Sequence, residues 1–352
     1  MGDWFSNENQ LKHLLSKEKR NEMETKVSTA GVTEEILTSP SQEKRKKVRR
    51  AWTANDWVLF GMASLSIVFL AVFAYAPLYG LILAFKDGDG YLDIIRAINE
   101  ADWAGFDNFE MFITDPDFSN IMYNTLGLNI LQLMINFPCP IIFAILTAEL
   151  ISDRFKKTVQ TVTFFPHFLS WAVFGGIFVN LLDYDMGIVN TFLYELGIVK
   201  EKVDILGDAQ YFWGTIITTS LIKGMGWGSI IYVAAIAAIP QELYEAAKID
   251  GANRFHKIWY ITIPSIAPTI TLFFILSISG ILNNGIEHIW VFQNTNNLER
   301  SEVLDTYIYK YGFPQWRYSY ATAIGLMKSV VSLILLISGN AVCKKITGKG
   351  IY

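Results

Sequence analysis

The sequence predicts an all-α integral membrane protein with six transmembrane helices, on three observations. Of its 352 residues, 52% are hydrophobic and only 18% are charged. The apolar residues gather in windows of about 20 residues or more, the length a helix needs to cross a bilayer. Lysine and arginine are segregated among the segments that join these windows. A pair of soluble domains, which the length alone would suggest, is excluded by this patterning. The net charge of -4 says little, because the two signs are segregated rather than mixed. Cys139 and Cys343 each lie at or inside an apolar run, and no CxxC or Cys/His cluster occurs. Neither a disulfide framework nor a zinc site is indicated.

The elements follow in order. Residues 1–56 form a polar tail rich in Ser, Thr, Glu and Lys without a sustained apolar period. It reads as largely disordered, with a short helix near residues 8–22. Its basic run "EKRKKVRR", Glu43 to Arg50, suits a solvated anchor beside anionic headgroups better than an RNA site. The apolar run that begins at Trp57 is too long and too far along the chain for a removed signal segment, so it is retained as the first span. The six-span domain covers 57–352, with spans expected at about 57–85, 121–149, 160–182, 211–239, 264–283 and 319–342. No internal repeat is evident, which counts against an inverted-repeat carrier.

Orientation follows from the basic residues. With the N-terminus inside, segments 1–56, 150–159, 240–263 and 343–352 hold 11, 3, 3 and 3 of them. The opposite loops 86–120, 183–210 and 284–318 hold 2, 2 and 3, and Lys223 and Lys328 fall inside spans. Both termini are therefore expected in the cytoplasm. Loop 86–120, with nine acidic residues and the aromatic segment "DWAGFDNFEMF", is expected to form short helices on the outer surface.

One cytoplasmic segment stands apart: "PQELYEAAKIDGANRFHKIWYITIPSIAP", Pro240 to Pro268. Pro240 suits the first helical position, where a missing N–H costs nothing. Residues 241–250 have high helix propensity, with Ala246 and Ala247 on a smooth face. Gly251 ends that helix, since a left-handed residue is tolerated there without a side-chain clash. Phe255, Ile258 and Trp259 then form an apolar stripe at i, i+3, i+4 as the helix resumes toward Pro264. By spacing alone this is either an ordinary connection or a small helix that docks into another protein's groove.

These residues resemble the EAA loop of binding-protein-dependent ABC importer permeases, written EAA-x3-G-x9-I-x-LP. Glu245, Ala246, Ala247, Gly251, Ile261 and Pro264 occupy the matching positions. Ile263 stands where the family usually has Leu, and Ile258 where many relatives carry Phe, both mild exchanges. "WAGFDNFEMFITDPDF", "FPCPIIFAILTAEL" and "TFFPHFLSWAVFGGIF" extend the likeness, over roughly residues 57–352, to sugar-importer permeases similar to the lipoprotein-associated polysaccharide-transport permease. The resemblance implies the type I importer permease core in the inner membrane of a bacterial cell. It implies a coupling helix, carried by Glu245, Ala246, Ala247, Asp250, Gly251 and Ala252, that docks into a cytoplasmic ATPase subunit. Two ATPase copies, a second and different permease chain, and an extracytoplasmic sugar-binding lipoprotein are the implied partners, beside the sugar and membrane lipid. Nucleic acid is not among them. No G-x-x-x-x-G-K-[ST] occurs, and "TGKG" near the C-terminus lacks the upstream glycine and the hydroxyl residue. ATP and Mg are thus expected on the partner ATPases, with no cofactor on this chain and no enzyme site of its own.

Polar groups inside spans are candidates for the pathway. Asn129, Gln132 and Asn136 share one face of the second span at i, i+3 and i+7. They suit sugar hydroxyls, or equally hydrogen bonds across the bundle. Lys223 lies mid-span beside Gly224, Gly226, Trp227 and Gly228. The readings there are a pore-lining stretch with Trp227 stacking on a sugar ring, or close helix packing with Lys223 paired. His167 reads as a packed residue rather than a metal ligand. An ion-coupled secondary sugar carrier is the competing function, but it needs a mid-span carboxylate, and it leaves the cytoplasmic motif unexplained.

The charge segregation makes a direct prediction. A cysteine replacing Asp107 labels from outside intact cells, and one replacing Lys248 does not. The reverse pattern would invert the topology.

Overall fold

The computed structural model describes residues 53–348, so the expectations for residues 1–52 and for the last four lie outside the described residues. The chain divides into two compact units at Val72. In the first, helix α1 (Ala54–Leu70) has no buried residue. It starts three residues before the expected boundary because Thr53 and Asp56 form a capping box. Asp56 accepts from the Thr53 N–H at 2.7 Å, and Thr53 Oγ accepts from the Asp56 N–H. Two otherwise orphaned donors are satisfied in this way.

In the second unit nearly every described residue outside the connecting turns is helical. A 3-10 stretch (Ala76–Phe85) leads to the short helices α2 (Ile94–Glu100) and α3 (Asp107–Ile113). Helices α4 (Phe118–Asn136) and α5 (Pro138–Ala148) make the second span. Helices α6 (Asp153–Phe164), α7 (Trp171–Leu182) and α8 (Ile188–Glu195) come next, followed by the unbroken 29-residue α9 (Ala209–Ala237). Beyond it stand α10 (Gln241–Ile249), α11 (Arg254–Lys257) and α12 (Ile263–Ser279). The chain ends with α13 (Ile286–Phe292), α14 (Leu298–Ser301), α15 (Leu304–Gly312) and α16 (Tyr318–Thr347).

Among the described residues, five helical runs are long and apolar enough to cross a membrane: Ala54–Phe85, Phe118–Ala148, Ala209–Ala237, Arg254–Ser279 and Tyr318–Lys345. The third expected span is different. It is a helix pair, Asp153–Phe168 and Trp171–Leu182, bent by 101° at the break. Pro166 tightens the end of the first piece into a 3-10 turn, and Ser170 begins the second by accepting the Val173 N–H. The expected span began only at residue 160 because the first piece opens on Asp153, Arg154, Lys156 and Lys157, and the apolar run beyond them carried no sign of the bend. The break frees main-chain carbonyls, and one side chain collects them. Lys223 of α9 donates to Pro166 O and His167 O, each at 3.0 Å, and to Leu169 O. Its ammonium also lies 5.2 Å from the Trp171 ring centre and 5.6 Å from that of Phe174. Close packing backs this contact: a Cβ at Gly226 would stand 2.2 Å from Thr163 O. Gly226 therefore permits backbone approach rather than unwinding α9.

The fifth span also departs from the expected bounds. Pro264 and Pro268 cannot donate to the helix ladder. The chain takes a π turn at Ile258–Thr262 just before them, so the helical run starts at Arg254 rather than Pro264. Segment 284–318, which reads in the sequence only as a loop between spans, holds α13, α14 and α15, and Ile289, Phe292 and Val303 join a core with Leu128, Phe212 and Ile216. Its short helices bury their apolar sides against the ends of the spans, a pairing that no local pattern announces.

Lys223→Met removes three donors from the carbonyls at the break. The purified protein should lose thermal stability, by about 1–3 kcal/mol for each carbonyl left unpaired. Lys223→Arg should recover part of the loss. An unchanged melting midpoint in the Met variant would show that these carbonyls find other donors.

Candidate functional site

Two regions collect the residues that the sequence singled out. The first is a cavity of about 350 Å³ between α4, α5, α9 and α12. Asn129, Gln132 and Asn136 all line it, as the i, i+3, i+7 spacing implies. Ser220, Tyr232 and Ser277 add hydroxyls from the facing helices, and Phe137 and Phe273 add aromatic rings. Every lining side chain is uncharged. The amides are only partly satisfied. Asn129 donates to Thr125 O on its own helix at 2.7 Å, and Asn136 donates to Ile217 O at 3.3 Å. Gln132 Nε2 and Asn136 Oδ1 are buried without a partner among the described residues. Orphaned buried polar atoms are rare and need an explanation. Here they sit beside space large enough for a ligand, between aromatic faces. Chemically the cavity suits a neutral polyhydroxylated molecule with apolar ring faces.

Lys223 and Trp227 are not in this lining. On α9 the cavity takes Ser220, Gly228, Ile231 and Tyr232, while Lys223 turns to the break in the third span. Trp227 stacks on His167, with ring centres 4.3 Å apart and planes 3° from parallel. Both side chains hold the bent span, the packed arrangement that stood as the alternative for this stretch. His167, read as a packed residue, is one. The sequence did not single out Tyr232, Phe273 or Ser277. Ser277 is a polar residue in an apolar run, which is a local signal; nothing local marks the two rings.

The second region is the segment after α9. Helix α10 has no buried residue, and Glu245, Ala246 and Asp250 are exposed while Ala247 and Ala252 are half-buried. Gly251 adopts φ +79°, the left-handed value expected of it. The Gly251 N–H donates to Lys248 O and the Ala252 N–H to Ala247 O, at 3.2 and 2.8 Å. These two bonds close the helix end. Pro240 precedes the helix as its cap, one residue earlier than expected. Asn253 then accepts from the His256 N–H and restarts the chain as α11. Tyr244 ties the exposed helix to the spans through its hydroxyl contact with Thr262 Oγ at 2.9 Å. The result is a rigid helix on a tight turn, with small and charged residues outward.

Comparison with known proteins agrees with this geometry. Residues 140–348 match the family described as the binding-protein-dependent transport system inner membrane component. The chain is 38% identical over 305 residues to protein LplB of Bacillus subtilis (strain 168), covering 86% of this chain and 94% of that one. It is 35% identical to the polygalacturonan/rhamnogalacturonan transport system permease protein YteP of the same organism, over 94% of this chain and all of the relative. Among solved structures, a chain of a bacterial alginate ABC transporter in complex with an alginate pentasaccharide-bound periplasmic protein is similar, with TM-score 0.76 and 34% identity. That match covers 84% of this chain and 97% of the other.

The orphaned amides give opposite signs for stability and function. Gln132→Leu removes a buried unpaired donor, so the melting midpoint should hold or rise. Saccharide uptake should fall severalfold in the same variant. Unchanged uptake would mean that Gln132 serves packing alone.

Proposed function

Since this chain belongs to the family of binding-protein-dependent transport system inner membrane components, we propose how its two regions serve import. The chain is a membrane-spanning permease subunit of a sugar ABC importer. The ion-coupled carrier gives way to that assignment. Finer points are our reading. The substrate is an oligosaccharide released from a polysaccharide, in keeping with relatives named for polygalacturonan/rhamnogalacturonan and alginate transport. It is taken from an extracytoplasmic binding lipoprotein. The cavity at Asn129, Gln132 and Asn136 forms this chain's part of the pathway, with the amides on hydroxyls and the rings on pyranose faces. A second, different permease chain completes the pathway. Two cytoplasmic ATPase subunits bind ATP and Mg, and this chain binds no cofactor and has no enzyme site.

The observation that carries the mechanical part is the exposure of α10 together with its closed turn. Glu245, Ala246 and Ala247 lie on a helix with no buried residue, and Asp250, Gly251 and Ala252 form the turn that ends it. Small residues let a groove wall approach closely, and Glu245 supplies a charge that fixes register. ATP binds the closed ATPase pair better than the open pair. That difference in affinity is the work available to move α10. Both termini then lie in the cytoplasm of a bacterial cell, on the same side as α10.

Gly251→Val places a β-branched residue at φ +79°, at a cost of about 1–3 kcal/mol of local strain. Membrane insertion should survive, since the spans are not touched, while saccharide-stimulated ATP hydrolysis falls. Glu245→Lys should weaken retention of the ATPase subunits during purification. Wild-type behaviour in both variants would leave α10 a mere connection and remove the mechanical basis of this reading.

A further inference from the structure

The saccharide cavity has no charged lining residue, so any recognition of substrate charge by this chain must lie elsewhere. Seven cations occupy the segments assigned to the outer side: Lys86, Arg96, Lys200, Lys202, Arg300, Lys310 and Arg317. Four are committed to oxygen. Lys86 donates to Ile98 O at 2.7 Å, and Lys202 donates to Asp185 O. Lys310 pairs with the Glu302 carboxylate at 2.8 Å and Arg317 with that of Asp89 at 3.0 Å. Arg96 and Lys200 are exposed side chains in water.

Arg300 alone is neither paired nor fully solvated. It is half-buried, with its guanidinium carbon 5.0 Å from the Tyr123 ring centre and 5.8 Å from that of Trp213. Among the described residues no carboxylate or carbonyl accepts from it. Its place is nonetheless fixed from two spans. Trp213 Nε1–H donates to Arg300 O at 3.0 Å, and the Asn120 and Asn124 amides donate to Glu299 O at 3.0 and 2.9 Å. The two rings lie 5.4 Å apart. Trp213 is seated against Gly127, where a Cβ would stand 2.4 Å from the ring. Such close seating leaves the ring little freedom. Tyr123 remains 55% exposed and presents apolar ring surface beside the cation.

We propose that Arg300, held on Tyr123 and Trp213, is a carboxylate-recognising site for uronic-acid-containing saccharides on the outer face. A guanidinium presents parallel donors that match a carboxylate in bidentate fashion. Aromatic contact orients the fork beforehand, so less rotamer freedom is lost when the anion arrives. No internal carboxylate competes for it among the described residues. An aromatic face beside the fork suits the C–H face of the sugar that carries the acid. The proposal rests on the sugar-importer reading and on the outer placement of 284–318.

The test uses the assembled transporter with its partner subunits and binding protein in liposomes. The probes are an acidic trisaccharide, trigalacturonate or trimannuronate, whichever the wild-type complex imports, and its methyl ester. The ester keeps the hydroxyls and rings and loses the charge. Arg300→Ala should raise the KM for the acid about tenfold or more, the scale of charge-assisted hydrogen bonds, and leave kcat and the ester's KM near wild type. Arg300→Lys should fall between, keeping the charge without the fork. In the wild type the acid's KM should rise with added salt, and in the Ala variant that dependence should flatten. Equal changes for acid and ester would overturn the assignment and point to docking of the binding protein or to folding. Unchanged kinetics for both would overturn it as well. Import of the ester but of neither acid by the wild type would overturn it while sparing the importer reading. Import of no saccharide at all would remove both.

Discussion

Inside a bilayer no water is available for a stray carbonyl, so every interruption of a spanning helix has to be satisfied by the protein itself. The break at Leu169 and Ser170 is where this chain meets that constraint, and the Lys223 ammonium is its solution. Three carbonyls from the end of one helical piece converge on one cation, and two aromatic rings from the next piece flank it. Charge at that depth is costly unless fully engaged. Here it is engaged on all sides. Neighbouring contacts reinforce the same joint: Trp171 stacks on His288 at 3.7 Å, and His288 in turn meets Thr219 Oγ at 2.9 Å. The bent span, α9 and α13 are thereby fixed together.

A bond of this kind also explains which parts of the molecule a sequence can disclose. The membrane class, the approximate spans and the helix ended by Gly251 were legible because each rests on local chemistry. Apolar length, positive φ at a glycine and basic-residue density need no knowledge of neighbours. The cavity face of the second span was legible for the same reason, since helical spacing alone puts Asn129, Gln132 and Asn136 on one side. The use of Lys223 was not. A lysine mid-span reads equally as a pathway residue or a paired one, and only the position of Pro166 and Leu169 decides. Trp227 shares that fate, because its partner His167 lies 60 residues away in sequence. The burial of α13 to α15 was hidden for a related reason. Short helices of mixed polarity look like a loop until the ends of the spans are there to receive them.

The two polar groups left unsatisfied in the cavity contrast with this economy. At the joint all available donors are used, whereas at Gln132 and Asn136 a donor and an acceptor are held in reserve. Natural folds leave such groups where function needs them and compensate elsewhere. The division of charge is equally sharp. Neutral amides, hydroxyls and rings line the cavity, and the cations of segments 86–120, 183–210 and 284–318 are bonded to oxygen, exposed to water, or, at Arg300, set against rings.

Helix α9 joins these features into one body. Its 29 residues run without interruption, so a displacement at one end is transmitted along its length rather than absorbed. Near one end Trp213 supports Arg300; at mid-length Ser220 faces the cavity while Lys223 and Gly226 bind the bent span. At the other end only three residues separate Ala237 from Gln241, where α10 begins. A push on α10 therefore reaches the cavity wall through the same helix that fixes the joint. Because Gly226 lies directly on a backbone carbonyl of the bent span, α9 cannot slide there without moving α6. The cavity wall and the exposed helix thus adjoin one unbroken element.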